Sequence, residues 1–551
     1  MARYLFERVV FPLAALPFSG RSVTKKSVPK ERVLDSNQVQ KLVQLIDESV
    51  RASREGVKHF VEPTPGVLAK AKSKRHNIIF GRRGSGKSSL LQKISAELTV
   101  DRTPIAMVDL ETFKQHSYPD VLLSILIKSF AEVKNWLDTA ATNPSTKTSF
   151  WKRWFGAVPT KPGFNRATTQ ALSADFGKMI YELNALLMGA DELKITDSNR
   201  GESGNENKAG LSAKVPGTGI GAELTASVTE KISSGSQSEY TSRKIEALHR
   251  NIMRYQELFA RLSMLASGPS FLLLDDLYHL RLNDQANVVD YFHRIAKGSN
   301  LWLKIGTIRH RSRWYVLGHP PIGMKLGDDA DEIDLDVTLE KYDVTKAFLM
   351  KLISQFAAEA TVLLPTIMAD GARDRLVLAS GGVARDFLTI FNRSVQVARE
   401  RLISGKFARG LKIGIEDVNV AAGQQGTYKE EDFNRDTGTE DRDRIISNFD
   451  EILQFCTMKT KANCILIEKD MTSPHVETIN ELVDLKFLHR AKFRVTVRDR
   501  TGRLYDAYML DLSQYAGERA RRDFEMVKFW GPDSDDALRK ASLIYLERQP
   551  A

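Results

Sequence analysis

Gly81, Gly84, Gly86, Lys87 and Ser88 stand at the spacing GxxxxGK[ST], within the run GRRGSGKSSL at residues 81–90. That spacing suits a phosphate chain. Glycines let successive backbone N–H groups close around the β-phosphate, and a helix beginning at Lys87 turns its N-terminus toward the anion. Lys87 is expected to reach the β- and γ-phosphates and the Ser88 hydroxyl to complete a Mg²⁺ shell. Gly81, Gly84, Ser85, Gly86, Lys87, Ser88 and Ser89 are therefore the expected nucleotide contacts, with ATP and Mg²⁺ as ligands.

A second run, SFLLLDDLYHL at 270–280, supplies the carboxylates. Asp275 ends an apolar strand and can hold Mg²⁺ through water, while Asp276 is placed to polarise the attacking water. An Asp here is shorter than the Glu of many motor ATPases, so slow hydrolysis is expected. Glu111 is a weaker rival for the general base. In NLWLKIGTIRHRSRWY (300–315), Thr307 can sense the γ-phosphate from a strand end. Arg309, Arg311 and Arg313 are candidate arginine fingers, acting in cis or on a neighbour's nucleotide, or else surface ion-pair partners. LASGGVARDF (378–387) superficially resembles the ABC-transporter signature. It lies after the LLLDD strand rather than before it, so it reads as a small-residue turn opening a helix, with Arg385 directed at the phosphates.

Elements must hold these groups in place. NIIF (77–80), PIAMVDL (104–110) and residues 271–275 and 301–307 read as buried strands; LQKISAEL, 118–137 and 242–266 read as helices. The alternation predicts an α/β fold, a parallel sheet between helical layers. Val39, Leu42, Leu45, Ile46 and Val50 have helical spacing over 36–56, before a VEPTPG break. Residues 197–243 are rich in Gly, Ser and Asn and read as a mobile loop or weak hairpin, part of an insertion at about 138–243.

P-loop, LLLDD, polar-tipped strand and SGGVAR together resemble the AAA+ ATPases over about residues 60–425, nearest the origin-recognition-type and STAND-type branches. The resemblance implies Walker A, Walker B, sensor 1 (Thr307) and sensor 2 (Arg385). It also implies a helical lid at 341–425, with helices at 341–360 and 383–403, and a winged-helix domain beyond it. Asp276 and the long insertion depart from the pattern.

TYKEEDFNRDTGTEDRD (427–443) reads as a charged linker, set at 426–445. Helices at 444–459 and 474–489 and a hairpin around Arg-Thr-Gly-Arg follow, giving a small α+β, winged-helix-like domain at 446–551. In its first strand Phe493, Val495 and Val497 alternate with Lys492, Arg494, Thr496 and Arg498. Arg490, Arg500 and Arg503 extend the cationic face. Lys492, Arg494, Arg498, Arg500 and Arg503 are candidate DNA phosphate contacts. The acidic helix carrying Glu477, Glu481 and Asp484 fits a major groove poorly and favours a protein partner.

With 551 residues, 42% hydrophobic and 27% charged, the chain has room for two to four ordinary domains. Two cysteines, Cys456 and Cys464, exclude a disulfide scaffold and suit a reducing cytoplasm. No apolar run approaches the ~20 residues that span a bilayer, and no membrane association is expected. VVFPLAALPF has two prolines and follows Glu7, against a signal peptide, so a cytoplasmic location is expected. Residues 1–90 hold 18 Lys+Arg and 7 Asp+Glu, a net of +11; the remaining 62 basic and 62 acidic residues cancel. The basic arm at 1–60, notably RSVTKKSVPKER (21–32), is either a nucleic-acid or acidic-partner contact or a solvated leader. Arg82 and Arg83 close this basic segment, which places the phosphate loop near the same anionic partner.

Two functions from different classes result. One is a nucleotide-dependent, DNA-associated assembly switch in a prokaryotic multiprotein system. The other is a STAND-like signalling ATPase, as in antiviral defence, that forms a homo-oligomer on ATP binding and controls a separate effector protein. A metabolic kinase is disfavoured because no small-molecule pocket motif accompanies the P-loop.

Overall fold

The computed structural model describes residues 33–50, 56–100, 102–142, 164–205, 221–436, 439–516, 524–531 and 534–548. The basic run at 21–32 lies outside them.

After α1 (Asn37–Ser49) and α2 (Val67–Lys72) the chain enters β1 (Asn77–Phe80), α3 (Lys87–Val100), β2 (Ile105–Asp109) and α4 (Asp120–Thr142). Next come α5 (Arg166–Asn205), α6 (Gly221–Ala266), β3 (Ser270–Asp275), α7 (Leu282–Ala296) and β4 (Leu301–Thr307). A short hairpin of β5 (Tyr315–Val316) and β6 (Ile322–Gly323) leads to β7 (Asp331–Asp334). The sheet order is β2-β3-β4-β1-β7, every pair parallel. β1 and β3 are buried along their whole length. Continuous apolar strands of this kind need a helical layer on each face, and here they have one. The result is the three-layer P-loop NTPase sheet expected from the motifs. It opens a crevice at the C-terminal strand ends, where Gly81 follows β1 and Asp275 ends β3.

Two expectations are corrected. Residues 197–243 are not a loop where they are described: α5 continues to Asn205 and α6 begins at Gly221. Both helices are anchored by packed aromatic rings, Phe130 with Phe176 at 5.5 Å and with Tyr255 at 5.1 Å, and Phe176 with Phe259 at 5.8 Å. Propagating a helix from an anchored turn costs far less than nucleating one, so a Gly/Ser-rich composition does not stop it. The expected linker at 426–445 is also helical. It falls in α12 (Ile415–Asp436) and α13 (Thr439–Gln454), with 437–438 outside the described residues. Its charges are not all solvated, since Lys429 is 3% exposed and bonds Asp511 at 2.7 Å.

The helical layer after β7 consists of α8 (Tyr342–Glu359), α9 (Leu364–Ile367), α10 (Asp370–Ser380), α11 (Ala384–Ile403) and α12. α1 joins it, with Val39, Leu42 and Ile46 buried in the same apolar cluster as Leu349 and Phe391. Beyond α13 lie β8 (Cys464–Glu468), α14 (Pro474–Asp484), β9 (Leu488–Thr496), β10 (Leu504–Leu510), α15 (Ser534–Leu538) and β11 (Ile544–Leu546). The sheet order is β11-β8-β10-β9, with the expected β9–β10 hairpin at one edge. The expected helix 474–489 stops at Asp484, and β8 and β11 are additions to the sequence reading. This α+β unit shares one continuous hydrophobic cluster with the lid helices. Among the described residues no helix is long and apolar enough to cross a membrane.

Candidate functional site

The loop from Gly81 to Gly86 turns back over the end of β1. Its Gly84 and Gly86 have φ of +90° and +102°, backbone that side chains with a Cβ adopt only under strain. Lys87 is 4% exposed. Its Nζ donates to the carbonyls of Gly81 at 2.9 Å and Arg82 at 3.3 Å, and lies 3.9 Å from Asp276 Oδ1. Burial lowers the Lys87 pKa, opposed by Asp276 and Asp275.

Asp275 is buried beside Asp109 at the ends of neighbouring strands. Burial and then the charge of Asp276 push its carboxyl up to about 7, while a hydrogen bond from Ser88 draws it down. Its Oδ1 is buried with no hydrogen-bond partner. An unpartnered buried carboxylate oxygen beside a serine hydroxyl fits a hard divalent cation, and Ser88 and Asp275 are the residues that would hold Mg²⁺. Among the described residues no cluster of three or more His, Cys, Asp or Glu could hold a metal by itself, so such a cation would draw its other ligands from phosphate and water. Asp276 sits in left-handed backbone at φ +57°.

Thr307 is buried at the end of β4, opposite Phe80, and its carbonyl accepts the Gly81 N–H at 3.3 Å. Its hydroxyl shares a hydrogen bond with Ser312. The three candidate finger arginines separate. Arg309 is ion-paired with Glu332, lies 3.6 Å from Asp334 and covers the Phe80 ring at 4.0 Å, all within its own sheet. Arg313 reaches Asn283. Arg311 lies over the Tyr278 ring at 5.6 Å, and the same ring stands 5.7 Å from Lys87 Nζ. From the lid, the Arg385 N–H donates to Gly84 O at 3.2 Å.

Gly84, Gly86, Lys87, Ser88, Asp276, Tyr278 and Arg385 line one cleft, together with Arg83, Ser85, Ser89, Glu111 and His279, leaving about 1160 Å³ of open space including its mouth; Gly81, Asp275, Thr307, Arg309, Arg311 and Arg313 are not among the lining residues. One side is apolar: Phe60, Val61, Phe348, Phe356 and Leu388. His59 stacks on Phe356 at 4.3 Å, bonds Glu359 through Nε2 at 2.7 Å, and leaves its buried Nδ1 without a partner. A flat apolar lobe with one polar ring atom beside a phosphate loop has the shape and chemistry of a base-binding wall. Sequence reasoning missed it, because HFVEP at 59–63 carries no motif and meets α8 only in three dimensions.

Arg82, unlike Arg83, does not line the cleft and is only 3% exposed. Its backbone N–H and Nε both bond Asp336 Oδ1, at 2.9 and 3.2 Å, and its guanidinium also donates to the carbonyls of Val337 and Gly381.

Of the candidate DNA residues, Lys492 and Arg494 lie in β9 and Arg498, Arg500 and Arg503 in the connection to β10, and the strict alternation does not hold. The β9–β10 register shifts between Tyr505 and Ala507, and Arg494 has φ +55°. Arg494 is exposed and Lys492 half-buried. Arg498 pairs with Asp536 at 3.0 Å, Arg500 with Glu547 at 3.0 Å, and Arg503 with Glu468 at 3.4 Å. Part of the cationic stripe is thus neutralised within its own domain.

Asp484 stands where α14 meets the P-loop core, and burial, with the charge of Asp336, pushes its carboxyl up to about 7. A carboxyl whose folded pKa is raised loses stability on ionising. Asp484 is therefore neutral and harmless near pH 4, and its cost grows as the pH rises from there to about 7, levelling off once the folded-state carboxyl has also ionised. Asp484→Asn, which keeps an oxygen for the His310 N–H, should gain on the order of a few kcal/mol near pH 8 and almost nothing near pH 4. Urea unfolding at both pH values measures the gap; equal gaps would show that the carboxyl is not raised.

No family model matches the sequence, and no curated protein matches it. Among solved structures, the chain is similar to the ORC1 protein of Aeropyrum pernix in complex with DNA, at 13% identity, over 90% of this chain and 94% of that one, with a TM-score of 0.31. It is similar to Cdc6p of Pyrobaculum aerophilum at 12% identity over 91% and 97%, with a TM-score of 0.30. For a Walker-type ATPase of Pyrococcus abyssi the values are 10%, 89% and 97%, with a TM-score of 0.35. The architecture described above rests on this chain's own strands, helices and register.

Proposed function

We propose that this chain is an AAA+-type ATPase that binds ATP with Mg²⁺, hydrolyses it slowly and works as a DNA-associated assembly switch. One observation carries the ATPase reading: Lys87, Ser88 and Asp276 from the core and Arg385 from the lid converge on one cleft, and Asp275, buried beside Asp276, accepts a hydrogen bond from Ser88. Lys87 and the loop N–H groups bind the phosphates, and the lobe around Phe356 takes the base. Mg²⁺, when bound, neutralises phosphate charge. Asp276 orients the attacking water, and its short side chain beside Lys87 supports slow turnover. Arg385 carries phosphate occupancy into the lid. Arg311, held toward the cleft by Tyr278, is the best placed of the three arginines for a neighbouring copy's nucleotide.

Asp276→Asn should trap an ATP-bound assembly, seen by mass photometry as an ATP-dependent rise in mass; a monomer under every nucleotide condition would overturn the switch. For DNA, duplex affinity should fall steeply between about 50 and about 200 mM salt, and Arg494→Glu/Arg498→Glu should flatten the log–log salt slope by about 2. Unchanged binding by that variant refutes the DNA contact. The second reading, a STAND-like switch acting on a protein effector without DNA, is favoured by the own-domain pairing of Arg498, Arg500 and Arg503.

A further inference from the structure

The described chain begins at a place where apolar side chains face solvent. Its first turn, Val33–Asp35, packs against α9 and α11. Leu34 is buried there, and its carbonyl accepts Arg399 Nε at 2.8 Å and Nη2 at 2.6 Å. Val33 itself is exposed. Near it stand Ile403, one helical turn beyond Arg399 on α11, and Leu363, which immediately precedes α9. Leu411 joins the same side of the lid through its neighbours: Lys412 Nζ bonds Pro365 O at 2.7 Å, and the Ile413 N–H bonds Ile367 O at 2.8 Å. Leu363, Ile403 and Leu411 are 72%, 73% and 60% exposed. Single exposed apolar residues are ordinary, but a group of them around one chain entry is an interaction surface. The surface is held in shape from within. Arg401, buried beneath it, pairs with Asp417 at 2.8 and 3.0 Å and donates to the carbonyls of Lys406, Gly410 and Lys412 at 3.3, 2.8 and 2.9 Å. One guanidinium thus fixes the 404–412 loop, and Leu411 is presented outward in a set position.

We propose that the occupant of this surface is the run VVFPLAALPF, residues 9–18 of the same chain. The run carries no charge. Pro12 and Pro17 suit neither a helix interior nor a central strand, so burying its side chains requires a ready-made surface. Residues 19–32 separate the run from Val33. A tether of that length reaches as far as about 46 Å, ample for a surface that begins at Val33 itself. It also holds the run at an effective concentration on the order of a millimolar, which a free partner would have to exceed. Charge decides the kind of contact. Residues 403–415 carry Lys406, Arg409 and Lys412 and no acid, and the tether carries Arg21, Lys25, Lys26, Lys30 and Arg32 against Glu31. Like charges oppose the approach, so the contact draws its strength from apolar burial, and salt tightens it by screening the repulsion. An acidic partner on the same loop would show the opposite sign. The inference is independent of the nucleotide reading.

Disulfide trapping in the full chain tests it. Phe11→Cys with Leu411→Cys, oxidised by copper phenanthroline, should link within one chain at least about tenfold faster than Phe11→Cys with Val100→Cys. Val100 is the exposed last residue of α3 and serves as the control position. The native Cys456 and Cys464 are buried, with thiols pushed up by that burial, and stay out of the reaction. Adding Val10→Asp and Leu13→Asp should remove the advantage, and raising salt from about 50 to about 500 mM should enlarge it. Without introduced cysteines, Val10→Asp/Leu13→Asp should speed amide exchange across 403–412 by about tenfold. Those two substitutions lie outside the described fold, so the exchange readout does not depend on a variant of the lid. Equal linking rates for the two cysteine pairs overturn the proposal, as does unchanged exchange. A product linked between two chains assigns the surface to a second copy and overturns it. An advantage that shrinks with salt marks attraction by charge and overturns it as well.

Discussion

Lys87→Ala should lose measurable ATP binding and at least about 100-fold of any hydrolysis, as removal of a single charged donor from a phosphate site typically does. Its stability should change little. Lys87 is buried with its charge disfavoured, so losing the ammonium offsets part of what is lost with its bonds to the Gly81 and Arg82 carbonyls. This split, affinity gone and fold kept, separates a ligand-binding lysine from a structural one. Titration with a fluorescent ATP analogue and a thermal melt measure the two halves. A variant that binds ATP as the wild type does would remove the basis for the site.

The second large effect belongs to its neighbour in the loop. Arg82→Met should cost roughly 3–5 kcal/mol of folding stability, because Asp336 is left without its buried partner and the carbonyls of Val337 and Gly381 lose a donor. Arg83→Met, at the rim of the cleft, should cost well under ~1 kcal/mol and act on nucleotide affinity instead. Chemical denaturation of the pair decides the matter. Equal midpoints for the two variants would mean that Arg82 does not join the core, lid and C-terminal domain as its bonds indicate.

Much of the site was legible because its parts are local. The glycine loop and the two flanking elements lie within about two dozen residues, and LLLDD declares both a buried strand and its acidic end. The α/β sheet followed from apolar runs separated by helical periods. What went astray has identifiable causes. Gly- and Ser-rich stretches within 197–243 read as a loop because composition reports local propensity, while aromatic packing elsewhere on the same helices overrides it. The charged run at 427–443 read as a linker because charge suggests solvent, whereas Lys429 has a buried counter-ion 82 positions away. The apolar lobe of the cleft was invisible because His59 meets Phe356 only when α8 folds over it.

The sequence by itself determined that a glycine loop lies between β1 and α3 and that paired carboxylates stand at the end of β3, since both depend on spacing within a few turns of chain. Tertiary structure alone decided which charges line the cleft beside that loop. Arg83 lines the cleft and Arg82 is buried; Arg311 lies over the Tyr278 ring while Arg309 pairs with Glu332. His489, 407 positions from Arg82, ends up against the loop's flank. The physical reason is that a residue's charge is written in the sequence, whereas the burial and the counter-ion that give it a role come from segments distant along the chain.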